Sequence, residues 1–276
     1  MKKLSLLLLS LLLTGCGKEE QKHIHLLSGD WDLALASSHM AKAALEQAGY
    51  SVSMELANPG QIWSRLAAGE ADASLSLWMP QSSAAYVERF FDRLHDLGPN
   101  YPALKLGMAV PEDAPVDSLE QLAGSGYGAG LIVGIDASHG IMRMAEQALA
   151  LYGLNDYRLQ PGSVEAYRQQ GVAAMAPGQE GLFIAWQPDR LLSNGKLRLL
   201  ADSKAAFAIG ERPHTLVRRG LEDSAPRAME ILAGLDWQPQ DMVWMFEQVA
   251  GGKDFAQAAE RWLPRTKGQE AVAGPL

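Results

Sequence analysis

Two hydrophobic periods alternate along this chain. His23–Ser28 (HIHLLS) reads as a first strand, and Leu33 to Ala48 has helical apolar spacing that stops at Gly49, as a helix-closing glycine does. Tyr50–Leu56 (YSVSMEL) alternates apolar and polar positions and predicts a strand. Ile62–Ala68 predicts a short helix ended by Gly69, and Ala73–Leu77 a third strand. A Pro- and Gly-rich stretch follows from Pro111 to Gly130, with a short helix expected around Ser118–Ala123. The pattern then restarts, with strands expected near Leu131–Ile135, Tyr157–Leu159 and Gly181–Ala185 and helices at Ile141–Tyr152 and Val164–Ala174. From Ala225 onward the chain reads as mostly helical. Strand and helix alternating at this spacing indicate parallel βαβ units and an α/β fold class. Two similar blocks, joined near Leu106–Pro111, suggest two lobes. Ligands of open parallel sheets bind at the carboxyl ends of strands, and two lobes can turn those ends toward one cleft.

The first residues follow another rule. Met1-Lys2-Lys3 is a short basic stretch, and Leu4 to Leu13 is leucine broken only by Ser5 and Ser10. That run falls well short of the roughly 20 apolar residues of a membrane-spanning helix and reads as the hydrophobic part of a signal peptide. Leu13-Thr14-Gly15-Cys16 resembles the lipobox of bacterial lipoproteins. The resemblance implies a signal peptide at 1–15, acylation of Cys16 and a polar, lipid-anchored tether at 16–22. Each buried acyl CH₂ contributes about 0.8 kcal/mol, so several chains hold a protein at a membrane almost permanently.

Composition narrows the function further. At 276 residues, 47% hydrophobic and 20% charged, the chain can bury a full core. A net charge of −8 argues against gripping nucleic acid through the overall field, and losing Lys2 and Lys3 makes the mature chain more acidic still. The single cysteine excludes a disulfide framework and a Cys-rich zinc site. Gly124, Gly126, Gly128 and Gly130 fit neither GxGxxG nor GxxxxGK[ST] and read as a tight inter-lobe connection. His23 and His25 share a strand face where weak metal binding is conceivable, but such a pair reads more simply as polar decoration. No GxSxG or HExxH occurs. Neither a cofactor nor a metal is expected, and only Ser83, His139 and Asp189 offer material for an enzyme.

The tryptophans carry the signal. Trp31 follows the first strand, Trp78 the third (Leu77-Trp78-Met79-Pro80), and Trp186 a strand of the second block (Ala185-Trp186-Gln187-Pro188). One such Trp alone reads as core packing. Three at equivalent strand ends in both blocks point to an aromatic box for a cation that hydrogen bonds cannot satisfy. A quaternary ammonium has no N–H and a diffuse charge, so π-faces attract it and tolerate its methyl groups. Each desolvated contact is worth about 2 kcal/mol, and three supply most of a micromolar affinity. Trp237, Trp244 and Trp262 read as core or inter-lobe packing, as do Tyr86 and Phe90, and His95 and His214 read as structural.

With these residues in place, the chain resembles the substrate-binding proteins of glycine betaine/choline-type ABC importers over nearly its whole mature length. The segment from Gly69 to Pro111 is similar to the family's stretch in which a strand enters a Trp-Leu-Pro turn. Gly134-Ile135-Asp136 through Gly140-Ile141-Met142 resembles its Gly-Ile-Asp-Pro-Gly-x-Gly-Ile segment. Phe183–Pro188 (FIAWQP), His214-Thr215 and Arg218-Arg219-Gly220 are similar to its closing stretch. The resemblance implies a bilobed periplasmic-binding-protein fold of type II-like form, with two parallel-sheet lobes around a ligand cleft. Residues 23–106 with 206–276 would form lobe I, and 107–205 lobe II. It further implies that Trp31, Trp78 and Trp186 enclose a trimethylammonium head when the lobes close, and that the backbone N–H groups of Gly140 and Ile141 hold a carboxylate at a helix start.

The departures from that pattern are specific. Ser83 stands where the family commonly has a carboxylate-binding His, and His139 stands where a small residue is usual and is placed to compensate. The family's Trp-Thr-Pro-His-Trp becomes Trp186-Gln187-Pro188-Asp189-Arg190, and Arg190 reads either as a carboxylate contact or as a surface residue. Asp32 reads either as an acceptor for a ligand hydroxyl, as choline requires, or as a helix N-cap. The implied partners are a small cationic or zwitterionic ligand, an ABC permease and a membrane reached through Cys16, with the body a monomer in the periplasm or outside the cell. A ligand-presenting sensor or orphan binding lipoprotein is the alternative, and an enzyme on the same scaffold a third reading.

Overall fold

The computed structural model describes residues 20–207 and 209–270. β1 (His23–Ser28), α1 (Asp32–Gln47), β2 (Ser51–Leu56), α2 (Pro59–Ala67) and β3 (Ala73–Met79) form two parallel crossovers in the strand order β2-β1-β3. Asn58 starts α2 by accepting from the Gln61 N–H, while the Gln61 side chain accepts from the Asn58 N–H, a capping box followed by Pro59 at the first helical position. α3 (Ala84–Phe90) and β4 (Leu94–Pro99) complete this part, and the chain then crosses to a second sheet. There β5 (Lys105–Pro111), β6 (Leu131–Val133), α4 (Gly140–Tyr152), β7 (Arg158–Gln160), α5 (Val164–Ala174), β8 (Phe183–Gln187), α6 (Arg190–Ser193) and β9 (Leu197–Leu199) form the order β7-β6-β8-β5-β9. β10 (Arg212–Arg218) returns to the first sheet and gives β2-β1-β3-β10-β4. α7 (Leu221–Ser224), α8 (Pro226–Ala233), α9 (Pro239–Ala250) and α10 (Phe255–Glu270) follow, with α9 and α10 against α1.

The α/β architecture with two lobes agrees with expectation, but both sheets are mixed rather than parallel. β10 runs antiparallel to β3 and β4, and β5 antiparallel to β8 and β9. Leu106–Pro111, expected as the junction, lies within β5 (Lys105–Pro111), a strand of the second sheet, so the crossing lies before it. The glycine run 124–130 lies between β5 and β6, inside the second block, and is no inter-lobe connection. Gly130 there has φ +69°, and a Cβ would stand 2.3 Å from the Asp156 carbonyl oxygen, so only glycine fits. The helix expected near Ser118–Ala123 is a single 3₁₀ turn at Glu120–Leu122.

β3 is buried at every position, as a strand covered on both faces must be. Trp63 is fully buried and stacks on Tyr86 at 6.2 Å, while Trp237 meets Trp262 edge-on at 5.2 Å in the C-terminal helices. Phe90 is buried with the Arg89 and Arg93 guanidiniums over its ring. His95 donates to Glu222 and His214 to Asp96, each at 2.9 Å. His23 shares hydrogen bonds with the Ser51 and Ser53 hydroxyls, and His25 donates to the Glu70 carbonyl. Among the described residues no group of three or more His, Cys, Asp or Glu side chains gathers as a metal site, and no helix is long and apolar enough to cross a membrane.

The expected signal peptide and Cys16 lie outside the described residues. Of the expected tether, Glu20–Lys22 are already held by the body. The Gln21 N–H donates to Ser224 (2.7 Å), the Ser51 N–H donates to Lys22 (2.8 Å), and the Tyr50 hydroxyl donates to Glu20. Arg218 ties this segment down. Its guanidinium donates to the Gln21 side chain (2.9 Å) and to the buried carboxylate of Asp72 (2.8 Å), which also accepts from the His25 N–H (2.8 Å).

The two sheets meet at a buried carboxylate. Asp32, its side chain 2% exposed, accepts Arg190 Nε (2.8 Å), Arg190 Nη2 (2.9 Å) and Arg168 Nη2 (3.0 Å), all from the second block. Arg190 also lies over the Phe255 ring at 5.6 Å. Beside this cluster Asp189 is buried and accepts from the Leu191 N–H at the start of α6 (2.8 Å). Burial first, and the Asp32 charge second, push the Asp189 carboxyl up to about 7. Further contacts join the sheets where Tyr86 donates to the Ser138 carbonyl (3.0 Å) and Arg143 to the Gln81 carbonyl (2.7 Å).

Two outcomes follow from these charges. Arg218→Ala leaves the Asp72 carboxylate buried without its cation and lowers stability by about 3 kcal/mol in a urea melt. Between about pH 4 and 7 the folded chain holds the Asp189 proton that the unfolded chain has released, so this group makes stability fall as pH rises through that window. Asp189→Asn keeps the cap oxygen and removes the charge. Its melts are more stable than wild type at pH 8, with the gain fading toward pH 4; an equal gain at both ends would refute this origin.

Candidate ligand-binding site

Each tryptophan expected at the site stands where a strand of one sheet points at the other. Trp31 is the N-cap residue of α1, directly after the β1 turn. Trp78 and Trp186 sit within the last residues of β3 and β8, and each strand runs into a cis X-Pro bond, Met79-Pro80 and Gln187-Pro188. A Cβ on Gly29 would overlap the Trp31 ring, at 1.9 Å, so this glycine lets the indole lie back over the chain before it.

The rings converge. Trp31 meets Trp78 edge to face at 5.7 Å and 77°, and Trp78 meets Trp186 at 5.7 Å and 63°. Trp31 also meets the His139 ring at 5.1 Å, and Trp186 stacks on Tyr167 at 5.4 Å and 17°. Edge-to-face pairs at these distances are favourable in themselves. Tyr167, on α5, is a wall that sequence reasoning missed, because Val164, Tyr167, Gly171 and Ala174 read as an ordinary buried helix stripe. All three indoles are nearly fully buried, yet among the described residues their Nε1–H groups have no acceptor, and Ser82 Oγ and His139 Nε2 are also buried without partners.

Two cavities flank His139. The inner one, about 20 Å³, is bounded by Trp31, Trp78, Ser82, Ser83 and the His139–Ile141 helix start. The outer one, about 580 Å³, is bounded by Asp30, Asn58, Gln61, Asp136, His139 and Ser163. Gly140 opens α4, and the N–H groups of Gly140 and Ile141 lie in the first turn, where a helix supplies no acceptor and its dipole is positive. A Cβ on Gly140 would stand 2.2 Å from the Ser82 carbonyl oxygen, so glycine lets this helix start close on the opposite loop. That loop is fixed from behind by the fully buried Glu211, whose carboxylate accepts the Gln81 (2.6 Å) and Ser82 (2.9 Å) N–H groups.

The remaining expectations fall differently. Asp32 is not the N-cap, since Trp31 holds that position with no side-chain cap bond. Its oxygens are bound by two arginines. Arg190 is not a free surface residue, because Asp32 accepts its Nε and Nη2 N–H groups. Ser83 is buried beside the inner cavity and precedes α3. Among the described residues no hydrogen bond joins any two of Ser83, His139 and Asp189. His139 Nδ1 instead donates to the Asp136 carbonyl (3.0 Å), and Asp189 caps α6. Burial holds the His139 imidazole below its usual range, against the opposing pull of its bond to Asp136 and the Asp136 and Asp30 charges.

Comparison with known proteins agrees with this geometry. The family model for the substrate binding domain of ABC-type glycine betaine transport systems matches residues 22–265. The glycine betaine/carnitine transport binding protein GbuC of Listeria monocytogenes is 32% identical over 156 residues, which is 56% of this chain and half the length of that relative. Lactococcal OpuAC, in its closed conformation complexed with glycine betaine, superposes with a TM-score of 0.84 at 27% identity, covering 90% of this chain and 97% of that one. An ABC-transporter choline binding protein in complex with choline shares the fold, with a TM-score of 0.81 at 20% identity over 90% of each chain. The chain thus belongs to the family of substrate-binding domains of ABC-type glycine betaine transport systems.

Proposed function

We propose that this chain captures a quaternary ammonium compound of the glycine betaine/choline class between its two sheets and hands it to an ABC permease, as a binding protein and not an enzyme. The observation that carries this reading is the meeting of Trp31 and Trp78 from one sheet with Trp186 from the other. These faces, excluded from water, suit a cation whose methyl groups block hydrogen bonding. The amides of Gly140 and Ile141 supply donors for the ligand's oxygen, with Ser83 beside them. Asp32 acts indirectly, by drawing Arg168 and Arg190 across the cleft.

The inner cavity, about 20 Å³, has room for about one water. Admitting a trimethylammonium group therefore requires the rings to separate. Two chain crossings, at 100–104 and 200–211, are the only covalent links between the two sheets among the described residues, and they allow opening about a hinge. Lipid anchoring at Cys16 in the cell envelope, with residues 1–15 removed, completes the proposed role: a tethered body that captures its ligand in the periplasm or outside the cell and docks on its permease.

Removing one aromatic wall deletes a contact worth about 2 kcal/mol. Calorimetric titration of Trp186→Ala with glycine betaine and choline is expected to show at least a thirtyfold weaker Kd, with the far-UV circular dichroism unchanged. Wild-type affinity in a folded variant would sink the cage. Gly140→Ala drives a methyl group into the Ser82 backbone and holds the cleft open. Small-angle scattering with saturating ligand is expected to show no compaction in this variant where wild type compacts.

A further inference from the structure

His139 divides the inner and outer cavities, and its hydrogen bonding determines what it can offer a ligand. The side chain is 9% exposed, and Nδ1 lies 3.0 Å from the Asp136 carbonyl oxygen. A carbonyl oxygen only accepts, so Nδ1 carries the proton. Burial disfavours a second proton on the ring. Nε2 is therefore a bare lone pair, buried and without a partner among the described residues. A buried acceptor left unpaired is costly, and a ligand that brings it a donor recovers that cost.

The groups around Nε2 decide which ligand does so. The first-turn amides of Gly140 and Ile141 border the same inner cavity and can only donate. A carboxylate satisfies those amides but turns lone pairs toward Nε2, near the Asp30 and Asp136 carboxylates that border the outer cavity. A hydroxyl satisfies both sides, accepting from the amides and donating to Nε2. Asp32 is bound by three guanidinium N–H groups, and the Ser82 and Ser83 hydroxyls, which also border the inner cavity, can turn to donate as well as accept.

Resting on the cage reading, we propose that His139 is a specificity-determining residue whose Nε2 accepts a hydrogen bond from the ligand's hydroxyl. The site then favours a hydroxylated quaternary ammonium compound over one whose only oxygen group is a carboxylate. His139 thus does not replace the family's carboxylate-binding histidine. It reverses the hydrogen-bond polarity of the site.

The test compares choline, n-propyltrimethylammonium, which has the same chain length and no hydroxyl, and glycine betaine, by titration of the intact protein. Choline is expected to bind about fivefold or more tighter than the propyl compound, and tighter than glycine betaine. His139→Phe keeps a ring against Trp31 and removes the acceptor. It is expected to bring choline and the propyl compound to equal affinity, whatever that common affinity is. Equal binding of choline and the propyl compound by wild type, tighter binding of glycine betaine than of choline, or discrimination that survives in His139→Phe would each overturn the inference and leave the cage standing. Silence of all three ligands on folded protein would overturn the cage as well. The wild-type comparison can overturn the inference even where the variant fails to fold, and His139→Gln, which keeps an acceptor, is then the second variant, expected to retain the preference for choline.

Discussion

Asp32 follows Trp31 directly, and Arg190 follows Trp186 by four residues. The carboxylate of the first accepts two N–H groups from the second and one from Arg168. The ionic contact that joins the sheets is thus made by near neighbours of the aromatic rings that meet between them. Charge-assisted bonds of this kind are short and directional, so they set the register of one sheet on the other as well as their proximity. A carboxylate that stays buried without its cations is strongly unfavourable, so Asp32 and the two arginines stabilise this arrangement as a unit. Asp189, buried beside the cluster and pushed up to about 7, avoids adding a second negative charge to it at mildly acidic pH.

Around that contact the cleft is graded in polarity. The outer cavity carries the Asp30 and Asp136 carboxylates, the inner one the aromatic rings and the positive end of α4. In the proposed reading a cation is drawn in by the former and loses water against the latter, where its attraction to π-faces is strongest. The positive helix start lies on the side where the oxygen of a zwitterion or an amino alcohol belongs. His139 stands at the boundary, and its fixed tautomer links ligand selection to a backbone carbonyl three residues before it. Glycines make the closeness possible, Gly29 beneath the Trp31 ring and Gly140 against Ser82.

By itself, the sequence determined what depends on neighbours in the chain. The βαβ periodicity around β1, β2 and β3, the helix start at Gly140 and the three tryptophans at strand ends are all local patterns, and all were legible. The antiparallel strands were not. β4 ends in Gly98-Pro99, β5 contains Gly107 and ends in Pro111, and β10 opens Arg212-Pro213-His214, so each lacks the alternation that marks a strand. Only their pairing makes them strands, β4 with β10, β10 with β3 and β4, and β5 with β8 and β9. In the same way, Asp32 read as a cap or a ligand acceptor because its partners, Arg168 and Arg190, lie 136 and 158 residues away. Tyr167 looked like any buried helix residue until α5 was laid against β8. Tertiary structure decided which charges neutralise each other and which polar atoms stay unpaired, because both depend on atoms that no local pattern brings together.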